Sequence, residues 1–302
     1  MQTRVLISGG TGMVGSALTA ALRADGVIVN HLVRKKEPTS PGEVAWTPTS
    51  AIVDIAAMEG YDAVVHLSGA SVARGRWTKS RKQILRNSRV DTTRVLVDAL
   101  ARLQKKPSVF ICASAIGYYG SRGDEILTET SGNGSDFLGM VCRAWEAEAA
   151  RASSNGIRTV IARFGIILSS QVGALPAMIA PFKLGLGGRL GSGRQWLSWI
   201  TLQDVIAIIR CAIDVPAWSG PYNLVAPGPI QNADFTRVLA SVLHRPAFFA
   251  APAIALRIAF GEMAGSLFLA SQRVEPVKLQ SAGYRFQQQN LETALAEILG
   301  KH

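Results

Sequence analysis

Cysteine is scarce in this chain. Among its 302 residues there are three, Cys112, Cys142 and Cys211, far apart, odd in number and without CxxC spacing. That excludes a disulfide framework, and the expected setting is a reducing cytoplasm. Histidine is as sparse: four residues, scattered, with no HExxH pair, so no metal site is expected. A clean apolar run is missing too. The longest candidate, residues 248–271, is broken by Pro252, Arg257 and Glu262, whereas a membrane span needs about 20 apolar residues. A buried or interface helix pair is expected there, and no membrane partner. The apolar start RVLISGG stops at glycine, so no secretory leader is expected. One long stretch also lacks lysine: none lies between Lys106 and Lys183.

Acidic residues are in the minority, 21 against 32 Lys and Arg, for a net charge of +11. From Ser71 to Lys106 eleven Lys and Arg face only Asp91 and Asp98. A nucleic-acid groove would use such charge, but no helix-turn-helix, zinc finger or RNP-like motif accompanies it. A solvated helix face beside an anionic cofactor is the simpler expectation, with no nucleic acid as partner. What the chain does have is apolar mass: 48% of its residues are hydrophobic, enough for a large core and one domain with a smaller lobe.

The order of elements is legible in the residues. RVLIS is a short strand, GGTGMVG a turn, and SALTAALRADG a helix with a glycine stop. VIVNHLV and DAVVHLSGA are further strands. SRKQILRNSRVDTTRVLVDALARLQKK reads as one long amphipathic helix. SVFICAS is a strand, FLGMVCRAWEAEAARASSNG a helix, RTVIARFG a strand. WLSWITLQDVIAIIRCAID reads as a helix and GPYNLV as a late strand. Strands alternating with helices imply a doubly wound parallel sheet, an α/β fold of Rossmann type. Residues 1–226 form its expected extent, with 170–197 a glycine-rich excursion towards the substrate lobe. Residues 227–302 are expected as a small C-terminal lobe.

Gly9, Gly12 and Gly15 form GxxGxxG between the first strand and helix. The first glycine permits the turn, the second admits a pyrophosphate to the backbone, and the third allows close helix packing. The helix N-terminus then offers free N–H groups to the phosphates. Gly9, Thr11, Gly12, Met13, Val14 and Gly15 are therefore candidate dinucleotide contacts. The second strand ends in Arg34, Lys35 and Lys36, where an NAD site places a carboxylate. Arg34 and Lys35 suit a 2′-phosphate, so NADP is the expected cofactor.

On GGTGMVG, HLSGA, SRVDTTRVL, SAIGYYG, FLGMVCRAWE, RFGIIL, LGLGGRLGSGRQWLSWITLQD and YNLVAP the chain resembles the extended short-chain dehydrogenase/reductases, in the NAD-dependent epimerase/dehydratase branch. More narrowly it is similar to the atypical epimerase family proteins, some labelled cell division inhibitor, which end in a small domain of unknown function. The resemblance implies cofactor contacts from Leu67, Ser68, Gly69, Arg89 and Ile167. It also implies an oxidoreductase or epimerase acting on a small, sugar-like substrate.

One departure matters. The superfamily pairs a Ser or Thr after the SVFICAS strand with a YxxxK pair at the next helix. Ser114 matches the first. Where the lysine belongs stands Val141 or Cys142, and no tyrosine opens that helix. Tyr118 and Tyr119 lie in the loop before it, with Arg143 as a stand-in cation. They read either as the acid/base, together with Ser114, or as pocket wall. Trp196, Trp199 and Asp204 are the expected substrate-pocket floor. A cofactor-binding sensor with little turnover is the alternative to an enzyme, and the oligomeric state stays open.

Overall fold

In the computed structural model, residues 2–35, 37, 40–50 and 52–301 are described. The strands of the central sheet are β1 (Arg4–Ser8), β2 (Ile28–Val33), β3 (Glu43–Thr47), β4 (Ile52–Val53), β5 (Ala63–His66), β6 (Val109–Ala115), β7 (Arg158–Phe164) and β8 (Gly220–Leu224). They lie in the order β8-β7-β6-β5-β1-β2-β3-β4. All neighbours are parallel except β4, which pairs antiparallel with β3 at one edge. The order reverses between β1, which pairs β2 on one side, and β5 on the other. That reversal leaves a crevice at the C-terminal ends of β1 and β5, the place where doubly wound sheets bind ligands.

Alternation along the strands builds a core on each face. Val5 and Ile7 of β1 turn to one side, with Leu18 of α1 (Met13–Ala24) and Val205 and Ile209 of the helix Leu202–Asp214. Leu6 turns to the other, where it shares a core with Phe110, Leu96 and Trp145. Each side chain of this kind contributes about 1.5–3 kcal/mol when fully buried.

Two expectations are corrected. The long basic helix is two helices, α2 (Lys79–Asn87) and α3 (Val90–Ala101). The break falls where Ser88 and Arg89 turn to the β5 end: Ser88 Oγ accepts from the Ala70 N–H at 3.1 Å, and Arg89 donates to the Ala70 carbonyl at 3.0 Å. Side-chain bonds to the backbone here compete with the helix ladder. The run WLSWIT is not helical. Trp196–Leu197 and Trp199–Thr201 are strands, and the helix starts only at Leu202, capped by Thr201 Oγ1, which accepts from the Asp204 N–H. Two indoles and β-branched residues in alternation favour strand over helix.

The remaining helices, in chain order, are α4 (Phe137–Ala150), α5 (Ala174–Lys183), α6 (the Leu202–Asp214 helix), α7 (Asn232–Leu243), α8 (Ala253–Phe260), α9 (Val277–Ser281) and α10 (Leu291–Leu299). A third core joins α5, α7 and α10 through Leu175, Phe182, Phe235, Leu239, Leu291 and Leu295. The chain does not stay in that layer. Residues 277–286 return to the sheet, where Leu279 and Phe286 enter the core of the α1/α6 face.

Asp204 anchors this return. Fully buried, its carboxylate accepts from Thr201 Oγ1 (2.9 Å), the Tyr284 hydroxyl (3.1 Å) and the N–H groups of Gln287 (2.8 Å) and Gln288 (3.3 Å). Asp204→Ala strands those donors, and stability should fall by about 3 kcal/mol or more. A urea midpoint in the variant within about 0.5 kcal/mol of wild type would show that residues 284–288 are held by packing alone.

Candidate active site

The glycine loop fills the crevice between β1 and β5. Gly9 has φ of +76°, and a Cβ there would sit 2.8 Å from the Leu67 carbonyl carbon. A Cβ on Gly15 would come within 2.3 Å of the Gly9 oxygen, so the third glycine lets the helix close on the turn. Gly12 differs. Its Cβ would meet only the Gly9 oxygen, at 3.3 Å, and faces open space beyond it. Gly12 caps α1, so the N–H groups of Met13, Val14 and Gly15 begin the helix without intrahelical acceptors. The cradle is bare backbone at a helix N-terminus, which fits a diphosphate. The Val14 side chain itself is core; only its N–H faces this space.

Sequence reasoning missed Gly10, whose Cβ would lie 2.7 Å from the His31 ring. His31 in turn meets Thr19 Oγ1 at 2.9 Å, bracing α1 against β2.

Around this cradle the other candidates gather in part. Leu67 packs between the two sheet cores, Ser68 after it is half-buried, and Gly69 is exposed. Arg89 lies against Gly69, its guanidinium 3.3 Å from where a Cβ would be. It donates to the Leu85 and Ala70 carbonyls and stacks 5.4 Å over Trp145. Ile167 sits in the short strand Ile166–Leu168, and the turn that follows brings Gly173 against the Met13 sulfur. Arg34 is exposed at the end of β2. Lys35 holds Glu43 at 3.0 Å, so its charge is shared with that carboxylate. Lys36 lies outside the described residues.

The proton-transfer candidates come apart. Ser114 is buried and donates its one hydroxyl proton to Glu146 at 2.6 Å. Tyr119 is fully buried; its hydroxyl donates to Asn223 at 2.6 Å and accepts from Arg163 at 2.9 Å. Burial pushes the Tyr119 phenol up to about 12, against the opposing pull of Arg163. Both hydroxyls are thus committed to one buried network, and a small molecule reaches either only by opening it. Tyr118 remains. Its ring is half-buried, edge-on to Tyr119 at 5.3 Å, with the Arg163 guanidinium 3.6 Å from the ring centroid. Its hydroxyl takes no protein partner among the described residues.

Arg163 was not foreseen, and it replaces Arg143 as the cation near the tyrosines. Arg143 is exposed on α4. Arg163 grips Glu146 through two bonds, 2.9 and 2.7 Å. Burial disfavours its charge, yet Glu146 outweighs that and raises its pKa. The signal was present: an arginine inside the apolar strand RTVIARFG, and a glutamate four residues after Cys142. Val141 and Cys142, in the lysine's place, are both buried, and burial pushes the Cys142 thiol up to about 12.

The expected pocket floor is corrected as well. Trp199 belongs to the α5/α7/α10 core, and Asp204 is the anchor described above. Only Trp196 is partly open, held by Asp124 at 2.7 Å and covered by Arg273 at 4.5 Å. The excursion is clamped to the C-terminal segment: Gln195 donates to the Leu190 and Phe268 carbonyls, and Asn232 accepts from the Leu190 N–H. No group of His, Cys, Asp or Glu able to hold a metal occurs among the described residues, nor a helix long and apolar enough to cross a membrane.

A parallel sheet with its strand order reversing beside a glycine cradle defines a dinucleotide-binding protein of the short-chain dehydrogenase type. Comparison with known proteins agrees. The model of the NAD dependent epimerase/dehydratase family matches residues 5–225, and that of a domain of unknown function, DUF1731, matches residues 251–298. The chain belongs to this epimerase/dehydratase family. Epimerase family protein Mb2239 of Mycobacterium bovis is 42% identical over 96% of both chains. The crystal structure of human epimerase family protein SDR39U1 (isoform 2) with NADPH is similar at a TM-score of 0.90, with 32% identity over 99% of this chain and 100% of that one. A nucleoside-diphosphate sugar epimerase from Corynebacterium glutamicum is 38% identical at a TM-score of 0.83, covering 99% of this chain and 59% of that one.

His66, at the end of β5 under the cradle, carries a pH consequence. It is fully buried, with Nδ1 2.5 Å from Ser8 Oγ and Nε2 without a partner among the described residues, and burial lowers its pKa to about 3. An unfolded histidine protonates below about 6.5. Between those values the unfolded chain binds the extra proton, so stability falls as pH falls, by up to about 1.4 kcal/mol per unit. From pH 6.5 to 5 wild type should lose about 2 kcal/mol more than His66→Phe. Parallel losses in urea titrations of the two would show that His66 is not the group responsible.

Proposed function

We infer that the protein is an NADP-dependent oxidoreductase or epimerase of the extended short-chain dehydrogenase type, acting on a small, sugar-like molecule. The observation that carries this is the cradle of Gly9, Gly12 and Gly15 at the N-terminus of α1, with Arg34 at the end of β2. In this reading the backbone of residues 9–15 holds the diphosphate and Arg34 takes the 2′-phosphate. Leu67, Ser68, Gly69 and Arg89 flank the ribose, and Ile167 lies at the nicotinamide end. NADPH in the human relative supports the choice of cofactor. The sugar-like substrate rests on the Corynebacterium relative's description as a nucleoside-diphosphate sugar epimerase. Trp196, beside the Tyr118 loop through Asp124, is the remaining wall of the substrate pocket.

Titration of NADPH and NADH by fluorescence tests the binding half. Wild type should prefer NADPH by about tenfold or more, since one charge-assisted bond is worth about 1.5–3 kcal/mol before solvent screening. Arg34→Ala should lose that preference, and Gly12→Val should lose both nucleotides while keeping its circular dichroism. Equal affinities in wild type would sink the NADP assignment. Normal binding by Gly12→Val would displace the phosphates from the loop.

A second reading has its own support. With Ser114 and Tyr119 locked and no lysine on α4, a sensor that binds NADP with little turnover is the alternative. A substrate screen at saturating cofactor separates the two. If the protein turns over, Tyr118→Phe should slow it by about a hundredfold or more, the usual share of a general acid/base. Full activity in that variant would make Tyr118 pocket wall. No turnover at any pH, with NADPH bound tightly, would establish the sensor.

A further inference from the structure

The strand Phe249–Ala251 pairs in parallel with Gly188–Leu190, and α8 follows directly. Six large apolar side chains on these pieces and their flanks stand in solvent: Leu184, Leu186, Phe248, Phe249, Ile254 and Ile258. Phe248 is 89% exposed, Leu184 75%, and both isoleucines 71%. Ile254 and Ile258 are one turn apart and share a face of α8. None of the eight residues of that helix is buried. Single exposed apolar residues need no explanation, but a concentration of this kind marks a contact surface.

The two stretches of sequence that build it carry charge of one sign. No Asp or Glu occurs between Glu148 and Asp204, and none between Asp234 and Glu262. Both runs contribute to this face. Lys183, Arg189 and Arg245 lie within them, exposed, and none is ion-paired among the described residues. Arg257 belongs to a different feature, a cavity of about 510 Å³ that it shares with Asp136, Phe137 and Glu262.

We propose that this face docks on an anionic lipid surface. Its apolar side chains enter the boundary between headgroups and acyl chains, and Lys183, Arg189 and Arg245 meet the lipid phosphates. Exposed apolar side chains on stretches that carry basic and no acidic residues are the composition of an interfacial anchor. A second copy fits less well, because it would bring two sets of basic stretches and two chains of charge +11 together. Nucleic acid would pair with the cations and leave six apolar side chains in water. The expectation of no membrane partner rested on the lack of a span; α8 lies in the plane of the interface instead of crossing it.

Co-sedimentation of the full chain with vesicles tests this. It should sediment with vesicles of equal phosphatidylcholine and phosphatidylglycerol, stay in solution with phosphatidylcholine alone, and be released by high salt. Lys183→Gln and Arg245→Gln should each weaken binding about fivefold, and about 25-fold together. Phe248→Ser and Ile258→Ser should each weaken it by about tenfold or more. Their side chains stand in solvent, so thermal midpoints should match wild type. Should one variant fail that check, Ile254→Ser replaces it. Equal sedimentation with both vesicle types would overturn the proposal, as would unchanged sedimentation of all four variants. No sedimentation with either vesicle type would overturn it as well. A concentration-dependent dimer in light scattering, dissolved by Phe248→Ser, would assign it to a second copy. Each of these readouts is independent of NADP binding and turnover.

Discussion

The buried ion pair between Arg163 and Glu146 organises the C-terminal ends of the strands. Two charges taken out of water cost several kcal/mol each, and the pair is tolerable only when every remaining donor and acceptor is satisfied. Here they are. Glu146 accepts twice from Arg163 and once from Ser114. Arg163 also donates to the Tyr119 hydroxyl and the Glu129 carbonyl. Tyr119 passes the chain of bonds to Asn223, whose side chain donates to the Glu275 carbonyl. The Glu129 carboxylate accepts from the N–H groups of Asn223 and Lys278. One network thus joins β6, α4, β7, β8 and the C-terminal segment. Removing one member of the pair leaves an uncompensated buried charge, at about 3–5 kcal/mol.

That network explains which parts of the site were legible in the sequence. The glycine loop was, because its three glycines answer to local geometry: a positive φ at Gly9, a 2.3 Å approach at Gly15, open space at Gly12. The alternation of strands and helices was legible for the same reason, since period and turn chemistry are local. The surroundings of Ser114, Tyr119, Trp199 and Asp204 were not legible because they are set by distant partners. Tyr119 and Asn223 are 104 residues apart, Asp204 and Gln288 84. A hydroxyl or carboxylate has the same appearance in a sequence whether it meets a substrate or a buried amide. The break at Ser88–Arg89 was hidden likewise, because its cause is a carbonyl and an N–H on Ala70, across the crevice.

The missing lysine has a physical sequel. In the position it would take, α4 offers Val141 and Cys142, both buried, and burial holds the Cys142 thiol protonated well above neutrality. The cations nearby come from other elements. Arg89 reaches the Gly69 edge from the start of α3, and Arg163 reaches Tyr118 from within β7. They are held differently. Arg89 rests on neutral carbonyls and an indole, so its positive charge is left for an anionic neighbour; Arg163 is committed to Glu146 and presents its face to the Tyr118 ring. A lysine amine would be a mobile point charge on a flexible stem, whereas these guanidinium groups are planar and fixed by their hydrogen bonds.

Fixed groups on the sheet and a second layer held by long-range bonds imply a division of labour. The cradle and the Arg163 network sit on β1, β5, β6 and β7, the most buried strands, where local opening is least favoured. The excursion is tied to residues 268–274 through Gln195 and Ser198, and those residues reach the loop around Tyr118 through Ser271 and Gln272. Gln272 is the narrowest of these links, donating to the Ile116 and Gly120 carbonyls on either side of the tyrosines. Motion of the outer layer therefore bears on the loop around Tyr118 through Gln272, through Ser271, which accepts from the Arg122 N–H and donates to the Gly123 carbonyl, and through Trp196, which donates to Asp124.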